Sequence, residues 1–235
     1  MINKIEKYLE YKVKKIFKNK KNLNLHIPYT DNLDKISINN SLIKNDLSTQ
    51  GQIVKKFELE IKKITKSKYA VATNTGTAAL EIALIINKIE KNSEILVPNV
   101  NYIASVNSIL RFGAIPHIID SDLESLGIDF EKLKIYIKKN FLKKNNKLIN
   151  KKTKRIVSAI MPTHVFGYTS NIIKLKKFAL ENKIKLIEDS TEALGSFYKK
   201  THLGLFGAVG VLSFNGNKMI TTAGGGALIT NNKNV

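Results

Sequence analysis

Residues 213–230 read SFNGNKMITTAGGGALIT and set Lys218 between the apolar run VGVLSF (209–214) and three glycines, 224–226. A lysine near a carboxylate in a partly desolvated pocket can condense as a neutral amine with an aldehyde. Glycines beside it let backbone approach a flat ring or a second subunit closely. The alternative is one more solvated lysine in a lysine-rich chain. A second candidate is KLIEDSTEALGS (185–196), where a hydrophobic strand ends in two carboxylates. Strand alternation sends Glu188 and Asp189 to opposite sides, one of them toward a pocket. The competing reading makes Asp189 a helix N-cap, with Glu192 three residues on completing a capping box. A third is ATNTGTAALEIAL (72–84), in which Gly76 and Thr77 open an Ala/Leu-rich helix. Free N–H groups at a helix start, joined by a threonine hydroxyl, suit a phosphate. An ordinary helix entry capped by Asn74 or Thr75 explains the same residues. The segment has neither the lysine of a Walker loop nor GxGxxG spacing.

Composition narrows the chemistry. The 235 residues contain no cysteine, which removes disulfides, thiolate nucleophiles and cysteine-held metals, and the four histidines show no ligand spacing. No metal is expected. The net charge of +20 raises the possibility of nucleic-acid binding. However, of 39 basic residues all but Arg111 and Arg155 are lysine, spread over every segment, whereas arginine supplies most bidentate recognition. Neither nucleic acid nor membrane is the expected partner. No apolar run approaches a membrane span and no signal-peptide core is visible, so a cytoplasmic protein is expected.

These candidates need a scaffold. Residues 1–25 read as a basic amphipathic helix, packed or dangling, with a membrane surface as the alternative partner, and a second helical stretch reaches about Leu47. STQGQ then breaks the pattern, giving an N-terminal helical segment at 1–48 and a main domain at 49–235. From residue 51, strands at 69–73, 94–98, 115–120, 155–162, 185–189, 209–214 and 226–230 alternate with helices near 53–65, 77–87, 102–112, 130–140 and 172–182. This is the pattern of an α/β domain, a mostly parallel sheet with helices on both faces. The run KKNFLKKNNKLINKKTK (138–154) is expected to be a solvated excursion. Ligands of such sheets bind beyond the C-terminal strand ends, where the polar segments NTGTAAL, PNVNYIAS, PTHVFG, EDSTEALGS and SFNGNK all fall.

In order and spacing, GTAALEIAL, ILVPNVNYIAS, PTHVFG, IEDSTEALGSFYKKTHLGLFG and GVLSFNGNKMITTAGGGALIT resemble the DegT/DnrJ/EryC1/StrS sugar aminotransferases over residues 49–235. The resemblance implies the large domain of a fold-type I enzyme using pyridoxal 5′-phosphate (PLP). It implies that Lys218 forms the Schiff base and shuttles the proton, and that Asp189 pairs with the pyridinium nitrogen. Gly76, Thr77, Ala78 and Ser213 would hold the phosphate, Tyr102 would stack on the ring, and Glu192 would reach the cofactor hydroxyl side. His164 is expected only near the site, or as a structural histidine. The implied reaction moves an amino group, with glutamate the expected donor, to a nucleotide-activated keto sugar in surface-glycan or nonulosonic acid biosynthesis, within a homodimer. The pattern is most similar to the branch that aminates UDP-linked 4-keto-6-deoxy sugars toward legionaminic acid. A GDP-perosamine-type or 3-keto-sugar aminotransferase is the runner-up. Retention of Lys218 argues against the dehydratases that carry histidine there. Two departures stand out. Ala223 replaces a usual glycine, and the sequence ends at Val235, before the C-terminal domain of the family, which implies a truncated or split chain and leaves a non-catalytic remnant as the alternative.

Overall fold

The computed structural model of the chain describes residues 2–17 and 28–234. Its helices are α1 (Ile2–Phe17), α2 (Asn32–Ile43), α3 (Gln52–Thr65), α4 (Gly76–Ile86), α5 (Ile103–Phe112), α6 (Phe130–Asn140) and α7 (Ile172–Glu181). Its strands are β1 (Tyr69–Thr73), β2 (Glu94–Pro98), β3 (Ile115–Ile119), β4 (Phe141–Lys144), β5 (Lys147–Asn150), β6 (Val157–Ile160), β7 (Lys185–Asp189), β8 (Phe197–Tyr198), β9 (Thr201–His202), β10 (Val209–Ser213) and β11 (Gly226–Thr230).

Seven strands form one sheet in the order β1, β11, β10, β7, β6, β2, β3. The pairs from β10 through β7, β6 and β2 to β3 are parallel, whereas β11 runs antiparallel to both β1 and β10. The central strands are apolar because both faces are covered. On one face Leu80, Ala83 and Leu84 of α4 and Ile109 of α5 pack on Ile95, Ile187 and Val211. On the other, Leu133 of α6 and Leu175 and Phe178 of α7 pack on Leu96, Ile160 and Leu186. A third cluster joins Ile61 of α3 to Phe214 and Ile229.

The N-terminal segment stays apart from this core. Side chains 3–16 of α1 are exposed, and residues 18–25 of the expected helix lie outside the described residues. Helix α2 ends at Ile43, before the expected Leu47, and buries no side chain; a capping box between Asp31 and Asp34 holds its start.

The lysine and asparagine run is not simply a solvated excursion. Residues 141–150 form a β4–β5 hairpin turned at Asn145 and Asn146, whose φ values of 49° and 60° are those of a tight hairpin turn. Asparagine tolerates that region, so the dipeptide that looked like surface composition is turn chemistry. The hairpin buries Phe141, Leu148 and Asn150. The Asn150 amide donates to both oxygens of buried Glu94 at 2.9 and 3.1 Å, and Thr153 Oγ1 donates to the same carboxylate at 2.5 Å.

Two positions carry measurable strain or charge cost. Ala223, in the β10–β11 connection, has φ 67°, a left-handed conformation that costs an L-residue roughly 1–2 kcal/mol. Ala223→Gly is expected to stabilise the protein by about 0.5–1 kcal/mol, less than the full strain because glycine loses more freedom on folding. Thermal unfolding checks this as a rise of roughly 2 °C. His202 is buried and its Nε2 accepts the Gly195 N–H at 3.0 Å, so it is held neutral. Burial lowers its pKa to about 4 from the usual 6.5. The unfolded chain therefore binds the extra proton first. This contribution to stability is complete above pH 6.5 and is lost as pH falls toward 4. Between pH 7 and 4.5 it amounts to on the order of 2 kcal/mol. Urea denaturation across that range should show a steeper loss in the parent than in His202→Gln.

Candidate functional site

Because β11 returns antiparallel, β1, β2, β7 and β10 all deliver their C-terminal ends to one edge of the sheet. A cleft of about 210 Å³ opens there. Gly76, Thr77, Tyr102, Asp189, Ser213 and Lys218 all line it.

Helix α4 supplies one end. Thr75 is its N-cap, accepting the Ala78 N–H on Oγ1 at 3.0 Å. The Ala78 amide is thus committed to the cap, and the expected set of donors at this helix start reduces to Gly76 and Thr77, whose N–H groups precede intrahelical bonding. A Cβ on Gly76 would lie 2.8 Å from Ser213 Cβ and 3.0 Å from its Oγ. Only glycine lets the helix start come down beside the Ser213 hydroxyl. The result is a concave group of amide and hydroxyl donors at the positive end of a helix.

Strand β7 supplies the centre. Asp189 is 2% exposed. Its Oδ1 accepts the Thr191 N–H at 3.2 Å and the Thr191 hydroxyl at 2.8 Å, and its Oδ2 accepts the Ser105 hydroxyl at 2.5 Å. No helix follows Asp189, so the capping-box alternative fails: the carboxylate turns back on its own loop and faces the cleft. Glu188, fully buried, faces the other side. It takes His164 Nε2 at 2.9 Å and the N–H groups of Gly204, Phe206 and Gly207 at 2.9, 2.7 and 2.6 Å. This fixes His164 as a structural partner of Glu188, away from the cleft lining.

The 214–225 connection supplies Lys218. Its side chain is only 10% exposed, and Nζ lies 3.1 Å from Glu192 Oε1 and 5.7 Å from the centre of the Tyr102 ring. Glu192 Oε2 accepts the Phe166 N–H at 3.0 Å. Glu192 therefore meets the site through Lys218 instead of lining the cleft. Tyr102, at the N-cap position of α5, is 60% exposed and presents a broad aromatic face.

Ser105, Thr191, Asn215 and Asn217 also line the cleft; each lies in one of the polar strand-end segments, but none was singled out as a site residue. For Ser105 a signal existed: it lies three residues after Tyr102 on a helix, hence on the same face. Thr191 sits two residues after Asp189, the offset at which aspartate bonds its own backbone. The asparagines gave no such signal within an asparagine-rich chain.

The donor set fits PLP: helix-start amides and hydroxyls for a phosphate, a buried carboxylate for a ring N–H, an aromatic face, and a shielded amine for an aldehyde. Among the described residues, no group of three or more histidine, aspartate or glutamate side chains is arranged to hold a metal.

Known proteins carry the same fold. Residues 30–235 match the DegT/DnrJ/EryC1/StrS aminotransferase family. GDP-perosamine synthase of Escherichia coli O157:H7 is 34% identical over 200 residues, covering 85% of this chain and 50% of that protein. The structure of Helicobacter pylori PseC, described as an aminotransferase involved in the biosynthesis of pseudoaminic acid, aligns with a TM-score of 0.77 at 27% identity, covering 91% of this chain and 53% of that one. That of the E. coli GDP-4-keto-6-deoxy-D-mannose-3-dehydratase with bound hydrated PLP aligns with a TM-score of 0.76 at 26% identity, covering 90% and 52%. The chain spans about half the length of these relatives. Its seven-stranded, mostly parallel sheet between helices is that of the fold-type I PLP-dependent transferases. Together with the match over residues 30–235, this assigns the chain to the DegT/DnrJ/EryC1/StrS aminotransferase family.

Proposed function

We propose that residues 49–235 are the cofactor-binding part of a PLP-dependent aminotransferase acting on a nucleotide-activated 4-keto-6-deoxy sugar. The observation that carries this reading is Lys218: a shielded lysine, held by Glu192 beside an aromatic face, in the cleft that Asp189 also lines. When bound, PLP supplies an aldehyde that condenses with amines and a ring that takes up the electrons released at the amino donor's α-carbon.

Gly76 and Thr77, with the Ser213 hydroxyl, hold the phosphate. Asp189 accepts the ring N–H, and its burial among neutral donors keeps this carboxylate a ready partner for a cation. Tyr102 covers one face of the ring and excludes water from it. Lys218 would hold the cofactor's aldehyde through its amine, and the same amine would be placed to move the proton at the donor's α-carbon. Glu192 holds the lysine toward the cleft. Glutamate is the proposed amino donor. A second copy of the chain closes the site in a homodimer, and the enzyme works in the cytoplasm.

The choice of sugar shifts from the sequence-based expectation. Relatives named GDP-perosamine synthase support a GDP-linked sugar as the acceptor. The likeness to an aminotransferase involved in the biosynthesis of pseudoaminic acid supports a nonulosonic-acid precursor as the second reading.

Two measurements test the proposal. The full chain incubated with PLP and reduced with borohydride should retain one cofactor on the peptide containing Lys218, and Lys218→Ala should retain none there. Labelling spread over surface lysines in both proteins would reject the site. Gly76→Ala places a methyl against Ser213, so PLP affinity by fluorescence titration should fall about ten-fold, a loss near 1.4 kcal/mol. Unfolding temperature separates this effect from a general loss of structure.

A further inference from the structure

We infer that Ser105 is a positioning residue of this site, fixing the carboxylate of Asp189 against the helix turn that carries Tyr102. The inference rests on the reading of Asp189 as the partner of the ring nitrogen.

Thr191 and Ser105 hold Asp189 in different ways. The two bonds from Thr191 come from a residue two positions along the same loop, so they travel with Asp189 and set its rotamer only locally. Ser105 stands 84 residues away in sequence, on α5, and donates to the other carboxylate oxygen, Oδ2, at 2.5 Å. It is 1% exposed, so no solvent competes for that bond. Its own place is secured twice, by its N–H to Tyr102 O at 3.0 Å and by the Ser108 hydroxyl to its carbonyl at 2.8 Å.

Two consequences follow from this geometry. Tyr102 and Ser105 share one turn of α5, so the bond to Asp189 sets the aromatic face and the carboxylate relative to each other. A flat ring between them has its plane and its nitrogen fixed by one short linkage. In addition, a carboxylate offers about four acceptor positions. Three are filled here, which leaves one for a single N–H donor from the cleft. Without Ser105 the carboxylate would have a second open position and freedom to swing on the Thr191 bonds. A ring N–H would then meet a poorly oriented acceptor.

The test compares PLP with its 1-deaza analogue, in which carbon replaces the ring nitrogen, by fluorescence titration of the full chain. The parent should bind PLP at least ten-fold more tightly than the analogue. Ser105→Ala should reduce that ratio by about ten-fold, by weakening PLP and leaving the analogue unchanged. Ser105→Thr, which keeps the hydroxyl, should restore it. Ser105→Cys, near in size but a weak donor, should behave as Ser105→Ala does and covers the case in which the alanine variant fails to fold. Equal weakening of both ligands would make Ser105 a merely structural residue and overturn the inference, as would an unchanged ratio. A parent that binds the two ligands equally would instead refute the Asp189 to ring-nitrogen pairing itself.

Discussion

Two carboxylates side by side at the end of a buried parallel strand cannot both be left to solvent, and the structure is organised around where each one goes. Period-two alternation sends Glu188 to one face of β7 and Asp189 to the other. An unpaired buried charge would cost several kcal/mol, so each must be surrounded by donors. Glu188 collects His164 and three backbone N–H groups from residues 204–207, which pins the connection between β9 and β10 beneath the sheet. Asp189 collects two hydroxyls and one amide and keeps its open side toward the cleft. The pair therefore divides labour: one holds the scaffold together and the other is held out for a ligand.

A comparable division explains how one lysine among thirty-seven differs from the rest. Several lysines pair with glutamates at exposed positions on the surface, where such contacts contribute little. Lys218 is shielded from water, and the carboxylate beside it also ties down the turn at Phe166, where φ is 51°. The amine is thus held by a group with a second structural duty, which limits how far it can wander from the cleft.

Most of this was legible in the sequence where local rules operate. Strands β1, β2 and β7 and helices α3 and α6 fall within a residue of the periodicity because alternation and helical spacing are local properties. Six expected site residues meet in one cleft because ligands of parallel sheets gather at strand ends. What escaped was set by tertiary contacts or hidden by composition. The spacing places Ser105 on the helix face of Tyr102, but its bond to Asp189 appears only when that residue is brought to it from 84 positions away. Asn145 and Asn146 look like surface bias in an asparagine-rich chain, although they form a hairpin turn. The commitment of the Ala78 amide depends on which of two candidates, Asn74 or Thr75, caps the helix, and sequence alone leaves that open.

The return of β11 between β1 and β10 also bears on how the site comes into being. Tyr69 pairs with Thr230 and Thr73 with Gly226, so the strand leading into α4 is completed only by residues more than 150 positions later. Pairings of such high sequence separation form slowly, because the loop they close must be ordered before they repay the entropy. During synthesis the parallel strands and their helices can associate first, while the α4 start and the Lys218 connection lack the strand that joins them. The two ends of the cleft are thus brought into register only once β11 has joined β1 to β10.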